Sequence, residues 1–141
     1  MADFAGNVSF VVQIIALVLL FVGIIPSRFK KEKRNLIIHG YLSILSLALN
    51  AVSIVVVMFP VYFSYLAALP QFSVLDSILI WAHTLSGIAA FGFGLILVYA
   101  WVRLPLSQLG CFKRNRLMMP TIVIWILSVI LGAFIHLAGI T

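Results

Sequence analysis

Four stretches of this chain, Val8 to Ile25, Asn35 to Met58, Ser77 to Val102 and Met119 to Ile140, hold no Asp, Glu, Lys or Arg between them. A hydrocarbon core of about 30 Å is crossed by roughly 20 helical residues rising about 1.5 Å each, and every stretch is near or beyond that length. Only 9% of the residues are charged and 65% are hydrophobic, with a mean hydropathy of +1.27. A soluble domain carries about a quarter charged residues, which excludes that class. Disorder is excluded for the opposite reason, because so much apolar surface does not stay in water. The expected fold is all-α: an integral membrane four-helix bundle forming one domain over residues 1–141.

Prolines mark the expected helix ends. Pro26-Ser27 reads as stopping the first helix and Pro60 the second, while Pro105 follows the third. Pro120 falls in the first turn expected for the fourth, where its missing N–H costs nothing. The first stretch does not read as a signal peptide, since Asp3 stands where a basic segment belongs and no small-residue cleavage site precedes Pro26.

All nine basic residues fall in two short connections, Arg28 to Arg34 and Arg103 to Arg116, while the other side carries only Asp3 and Asp76. The positive-inside rule then places both connections in the cytoplasm and both termini outside, in a multi-pass protein of the cell membrane. These connections read as topology determinants in contact with anionic lipid. Nucleic acid is not an expected partner, because the basic residues do not line a soluble face. The outer connection, Phe59 to Asp76, carries Phe59, Tyr62, Phe63, Tyr65 and Phe72 with Pro60 and Pro70, and reads as an aromatic belt or a short surface helix. The single cysteine, Cys111, excludes a disulfide framework and any multi-cysteine metal site, and reads as an inert or acylated loop thiol.

Polar side chains are costly in hydrocarbon and turn toward the bundle interior, so the few retained there carry the most information. In the second stretch His39, Ser43, Ser46, Asn50 and Ser53 recur at intervals of four and three, which puts them on one helix face. In the third, His83 shares a face with Ser86, Gly87, Ala90 and Gly94; in the fourth, His136 shares one with Gly132, Ser128 or Val129, Trp125 and Thr121. With the orientation above, His83 lies roughly 9 Å and His136 roughly 7 Å below the outer helix ends. The same level is reached by Asn50 and Ser53 of the second helix and by Gln13 of the first. His39 lies near the cytoplasmic end instead, with Ser43, Thr121 and Tyr99 as its expected companions.

Two imidazoles from different helices beside small residues are what a porphyrin requires: nitrogens from both sides of the iron and room for a flat ring. The expected cofactor is one haem b ligated by His83 and His136, lined by Gln13, Asn50, Ser53, Ser86, Gly87, Ala90 and Gly132. A bis-histidine iron has no open position, so the expected activity is electron transfer near the outer face. The alternatives are helix packing through small residues and histidine hydrogen bonds, a quinone site, or a labile metal. His39 reads as a residue at the interface beside Arg34, or as a separate half-site completed by a partner subunit or a small molecule. Zinc and non-haem iron would be short of ligands, since no carboxylate or thiolate lies in a span. For the same reason no catalytic triad or acidic proton pathway can be drawn, and no phosphate-binding glycine loop is present. A stand-alone enzyme is therefore less expected than an electron carrier or accessory protein. Respiratory-complex subunits are the protein partners this reading would imply, and oligomerisation is left open.

The run Lys33-Arg34-Asn35-Leu36-Ile37-Ile38-His39, the early His83, and the basic cluster leading into Ile124-Trp125 with Gly132 eight residues after the isoleucine resemble a small four-helix membrane family. Its members are largely uncharacterised, and some are implicated in maturation of haem-containing terminal oxidases. The resemblance spans Lys33 to Ile140 and departs from the family pattern at Pro120, four residues before Ile124, and at Val57-Met58, where a further histidine is expected. It implies a respiratory membrane and contact with haem or with an oxidase assembly, as an assembly factor or accessory subunit. The architecture is also similar to that of small b-type cytochromes, an analogy that says nothing of descent. A third expectation is a purely structural subunit whose polar layer sets helix register.

Overall fold

The computed structural model describes residues 2–29, 33–68, 72–103 and 115–139. These residues form α1 (Ala2–Phe29), α2 (Lys33–Ser53), a π-helical turn (Ile54–Met58), α3 (Phe59–Ala68), α4 (Val74–Arg103) and α5 (Asn115–Leu137), with no strand among them. Four helical segments are long and apolar enough to cross a membrane: Gly6–Ile25, Arg34–Ala67, Val74–Arg103 and Arg116–Leu137. Pro70, Pro105 and Cys111, together with most of the second basic connection, lie outside the described residues.

Three of the expected proline boundaries are corrected. Helix α1 runs through Pro26 to Phe29, about one turn further than expected. Helix α5 begins at Asn115, so Pro120 lies inside it and not in its first turn; the helix forgoes the bond that an N–H at this position would make to the carbonyl four residues back. Pro60 does not stop the second helix. The chain stays helical to Ala68, and the turn just before the proline widens so that the Phe59 N–H donates to the carbonyl of Ile54, five residues back. Widening is a physical answer to Pro60, whose ring would clash with a carbonyl four residues earlier in an α-helix.

The ends of α4 and α5 follow from local chemistry. The Asp76 N–H donates to Ser73 Oγ at 3.2 Å and the Ser73 hydroxyl donates back to Asp76 Oδ2 at 2.7 Å, a reciprocal cap that opens α4. After Leu137 the chain reaches Gly139 at φ 66°, a left-handed conformation that glycine adopts at little cost and that ends α5.

Helix α1 packs chiefly on α2, and α4 on α5, giving two helical hairpins. The hairpins meet through a core of Ala16, Leu20, Ile24, Ala90, Ile122 and Trp125. Close approach of α2 to α4 depends on two glycines. A Cβ on Gly40 would overlap the indole of Trp101, and one on Gly94 would come within 2.9 Å of Leu47. Large apolar side chains such as Val55, Leu85, Ile88 and Phe134 are exposed on the outside of the bundle.

Candidate functional site

The polar residues expected to form one layer are distributed over three helix seams. Between α1 and α2, Gln13 Nε2 donates to Asn50 Oδ1 at 2.6 Å and the hydroxyls of Ser9 and Ser53 are bonded at 2.7 Å. All four side chains are buried. Between α4 and α5, His83 Nδ1 bonds the carbonyl oxygen of Ser128 at 2.9 Å. Between α5 and α1, His136 Nε2 bonds Asn7 Oδ1 at 2.9 Å, with the imidazole stacked on Phe10 at 6.1 Å between ring centroids. His83 thus faces α5, whereas His136 faces α1.

The small residues beside these histidines serve the same seams. A Cβ on Gly132 would lie 2.8 Å from His83 Cε1, and one on Gly87 would lie 3.2 Å from Ser128 Oγ. A Cβ on Gly6 would lie 3.3 Å from His136 Nδ1. Each of these glycine spaces already holds a side chain of the neighbouring helix. Ala90 belongs to the inter-hairpin core, and the Ser86 hydroxyl donates to the carbonyl of His83 within its own helix. Ser9 and Asn7 complete the pairs without having been singled out in the sequence, although Ser9 stands one turn before Gln13 and so shares its face.

His39 occupies a different setting. It is buried at 6% exposure, Nδ1 has no hydrogen-bond partner, and Gly23 lies so close that a Cβ there would come within 3.3 Å of that nitrogen. The imidazole lines a cleft between the two hairpins, toward the end of α2 that carries Lys33 and Arg34. Ile24 of α1, Ser43 of α2, Trp101 of α4, and Thr121 and Trp125 of α5 line the same space. The cleft measures about 640 Å³ counted out to its open mouth. Of the expected companions of His39, Ser43 and Thr121 are present. Tyr99 is not: it is 61% exposed, with the Arg103 guanidinium 5.3 Å from its ring.

Trp125, expected on the face of His136, joins His39 in the cleft lining instead. Its indole is 4% exposed and its Nε1 has no hydrogen-bond partner, although the side chain lines the cleft. The hydroxyls of Ser43 and Thr121 give their protons to carbonyls of their own helices, at His39 and Leu117. Among the described residues no Asp, Glu, Lys or Arg lines the cleft. Among the described residues no three of His, Cys, Asp and Glu come together where they could hold a metal ion. The cleft is thus lined mainly by apolar side chains among the described residues, with His39 and Trp125 contributing to its wall while their unpaired nitrogens are themselves buried, His39 Nδ1 against Gly23. No family model, no curated protein and no solved structure matches this chain.

Proposed function

We propose that this chain is a multi-pass integral membrane protein, its basic connections cytoplasmic and its termini outside, that holds a small uncharged molecule in the cleft between its two hairpins. The observation that carries this reading is the pair of buried, unpartnered nitrogens, His39 Nδ1 and Trp125 Nε1, on side chains lining one cleft. An unpaired buried polar group costs about 1–3 kcal/mol, and a bound molecule with a suitable polar atom removes that cost. The remaining wall is apolar, as a lipid-borne molecule requires.

Native mass spectrometry of protein extracted in mild detergent tests the reading. The expected result is a bound molecule released on unfolding and absent from Leu97→Trp, which fills the cleft from α4. Bare protein from both, with equal stability, would speak against it.

A second reading keeps haem b between His83 and His136, passing electrons near the outer end. What favours it is the hydrogen bond from His83 Nδ1 to the Ser128 carbonyl, which sets the tautomer of a ligating imidazole and leaves Nε2 as the ligand nitrogen. Against it, His136 Nε2 is engaged by Asn7, and side chains of the neighbouring helix lie beside Gly87 and Gly132. A dithionite-responsive Soret band lost in both His83→Ala and His136→Ala is its expected signature; a colourless protein from haem-replete cells rejects it.

A further inference from the structure

The exposure of the residues around the cleft shows on which side it opens. Its described lining on α1, Leu20 and Ile24, is buried, and so are Thr121, Ile122 and Trp125 on α5. All of these but Thr121 belong to the core between the hairpins, which closes the inner side. The lining residues that keep part of their surface exposed are Ser43 of α2, Leu97, Val98 and Trp101 of α4, and Met118, which packs against that same core. The mouth therefore lies along the seam of α2 and α4. Two contacts bound it. Away from the basic end, Leu47 lies 2.9 Å from where a Cβ on Gly94 would stand. Toward the basic end, the indole of Trp101 fills the space that Gly40 leaves by having no Cβ, with the exposed Tyr41 edge-on to it at 5.8 Å.

Depth decides what meets this mouth. Leu97 stands roughly 9 Å and Gly94 roughly 13 Å along the helix axis from Arg103. Half of a hydrocarbon core is about 15 Å thick, so the mouth opens at the level of lipid chains and not of headgroups. Leu45 and Ile96, exposed on the same two helices, continue the apolar surface outward. An alkyl chain is as apolar as the aliphatic side chains of the wall, and an opening left empty forfeits the dispersion contacts that such a chain supplies.

We infer that the cleft opens sideways into the bilayer, between Trp101 and the Leu47–Gly94 contact, and admits the alkyl chain of a membrane lipid from the leaflet on the basic side. This rests on the reading of the cleft as a ligand site in a membrane-spanning bundle. The headgroup stays outside, at the level of Arg34 and Arg103, so only the uncharged chain reaches Trp125.

The test is quenching of tryptophan fluorescence by phosphatidylcholine brominated on its acyl chains, with the full chain in vesicles of that lipid. The protein has three tryptophans, so Trp81→Phe with Trp101→Phe leaves Trp125 as the single emitter, and Trp101→Phe with Trp125→Phe leaves Trp81. Trp125 is 4% exposed, but a chain in the cleft brings bromine against its indole. Strong quenching of Trp125 is expected, and most of it is expected to be lost when Leu97→Phe fills the mouth. Trp81, 42% exposed, is expected to be quenched equally with and without Leu97→Phe, and its unchanged emission shows that the variant is folded. Val98→Phe serves the same purpose if Leu97→Phe does not fold. An unquenched Trp125 beside a quenched Trp81, or quenching of Trp125 that neither substitution lowers, overturns the side entry; a bound molecule in the native mass spectrum then leaves the cleft a ligand site reached by another route. An unquenched Trp81 overturns the membrane-spanning reading on which the inference rests.

Discussion

Glycine acts here by what its missing Cβ admits, and the effect differs from one glycine to the next. At Gly132 the imidazole of His83 fills the space, with Cε1 2.8 Å from where a Cβ would stand. At Gly92 nothing lies within 4 Å. Substituting alanine improves helix propensity by about 1 kcal/mol at either site. Gly92→Ala is therefore expected to stabilise the protein slightly. Gly132→Ala pushes the imidazole away from the Ser128 carbonyl, and overpacking of this kind costs about 1–3 kcal/mol, more than the propensity gained. Unfolding midpoints in detergent compare the two, and equal shifts would mean that His83 is not held against Gly132. The face of small residues on α4 and α5 was legible in the sequence. Which side chain fills each gap was not, because periodicity gives the direction of a residue around its own helix and not the identity of the neighbour.

The second long helix carries the clearest lesson about elements. Arg34–Ala67 spans 34 residues without a break, although Pro60 lies inside it. A proline removes one backbone donor and displaces one carbonyl, and a single π-turn accommodates both while the helix axis continues. Pro60→Ala is expected to let Ile54–Met58 return to α-helical pitch, which turns α3 and separates Tyr62 from Trp81, now 6.0 Å apart between ring centroids. Nitroxide labels at the exposed Leu45 and Leu66 would report the change as an altered distance. An unaltered distance would place the cause of the wide turn elsewhere. At Pro60 the cost of an interior proline, about 3 kcal/mol, is small beside the cost of leaving backbone unpaired across the apolar residues around it.

At the scale of the whole molecule, two hairpins are each tightly paired and meet one another across a looser seam. Polar pairs Gln13–Asn50 and His83–Ser128 tie each hairpin internally, and His136–Asn7 ties one to the other. The cleft opens where the hairpins meet, between side chains of all four long helices. The proposed topology has its own test in the lone thiol. Cys111 lies in the second basic connection and is expected to react with a membrane-impermeant maleimide in inside-out vesicles and not in right-side-out ones. The reverse labelling pattern would invert the topology while leaving the fold unchanged.

Residue order alone is enough to read the helical class, the number of long apolar segments and the membership of His39, Ser43 and Thr121 in one neighbourhood. Hydrophobic length and charge position act locally along the chain and can be read without knowing what touches what. Packing of the helices is what turns His83 and His136 to different neighbours and brings Trp125 and His39 to line one cleft, each with a buried nitrogen that has no partner. Those outcomes depend on the rotation of each helix about its axis and on which helices are neighbours. Packing of side chains into glycine gaps sets both, and no single helix encodes them.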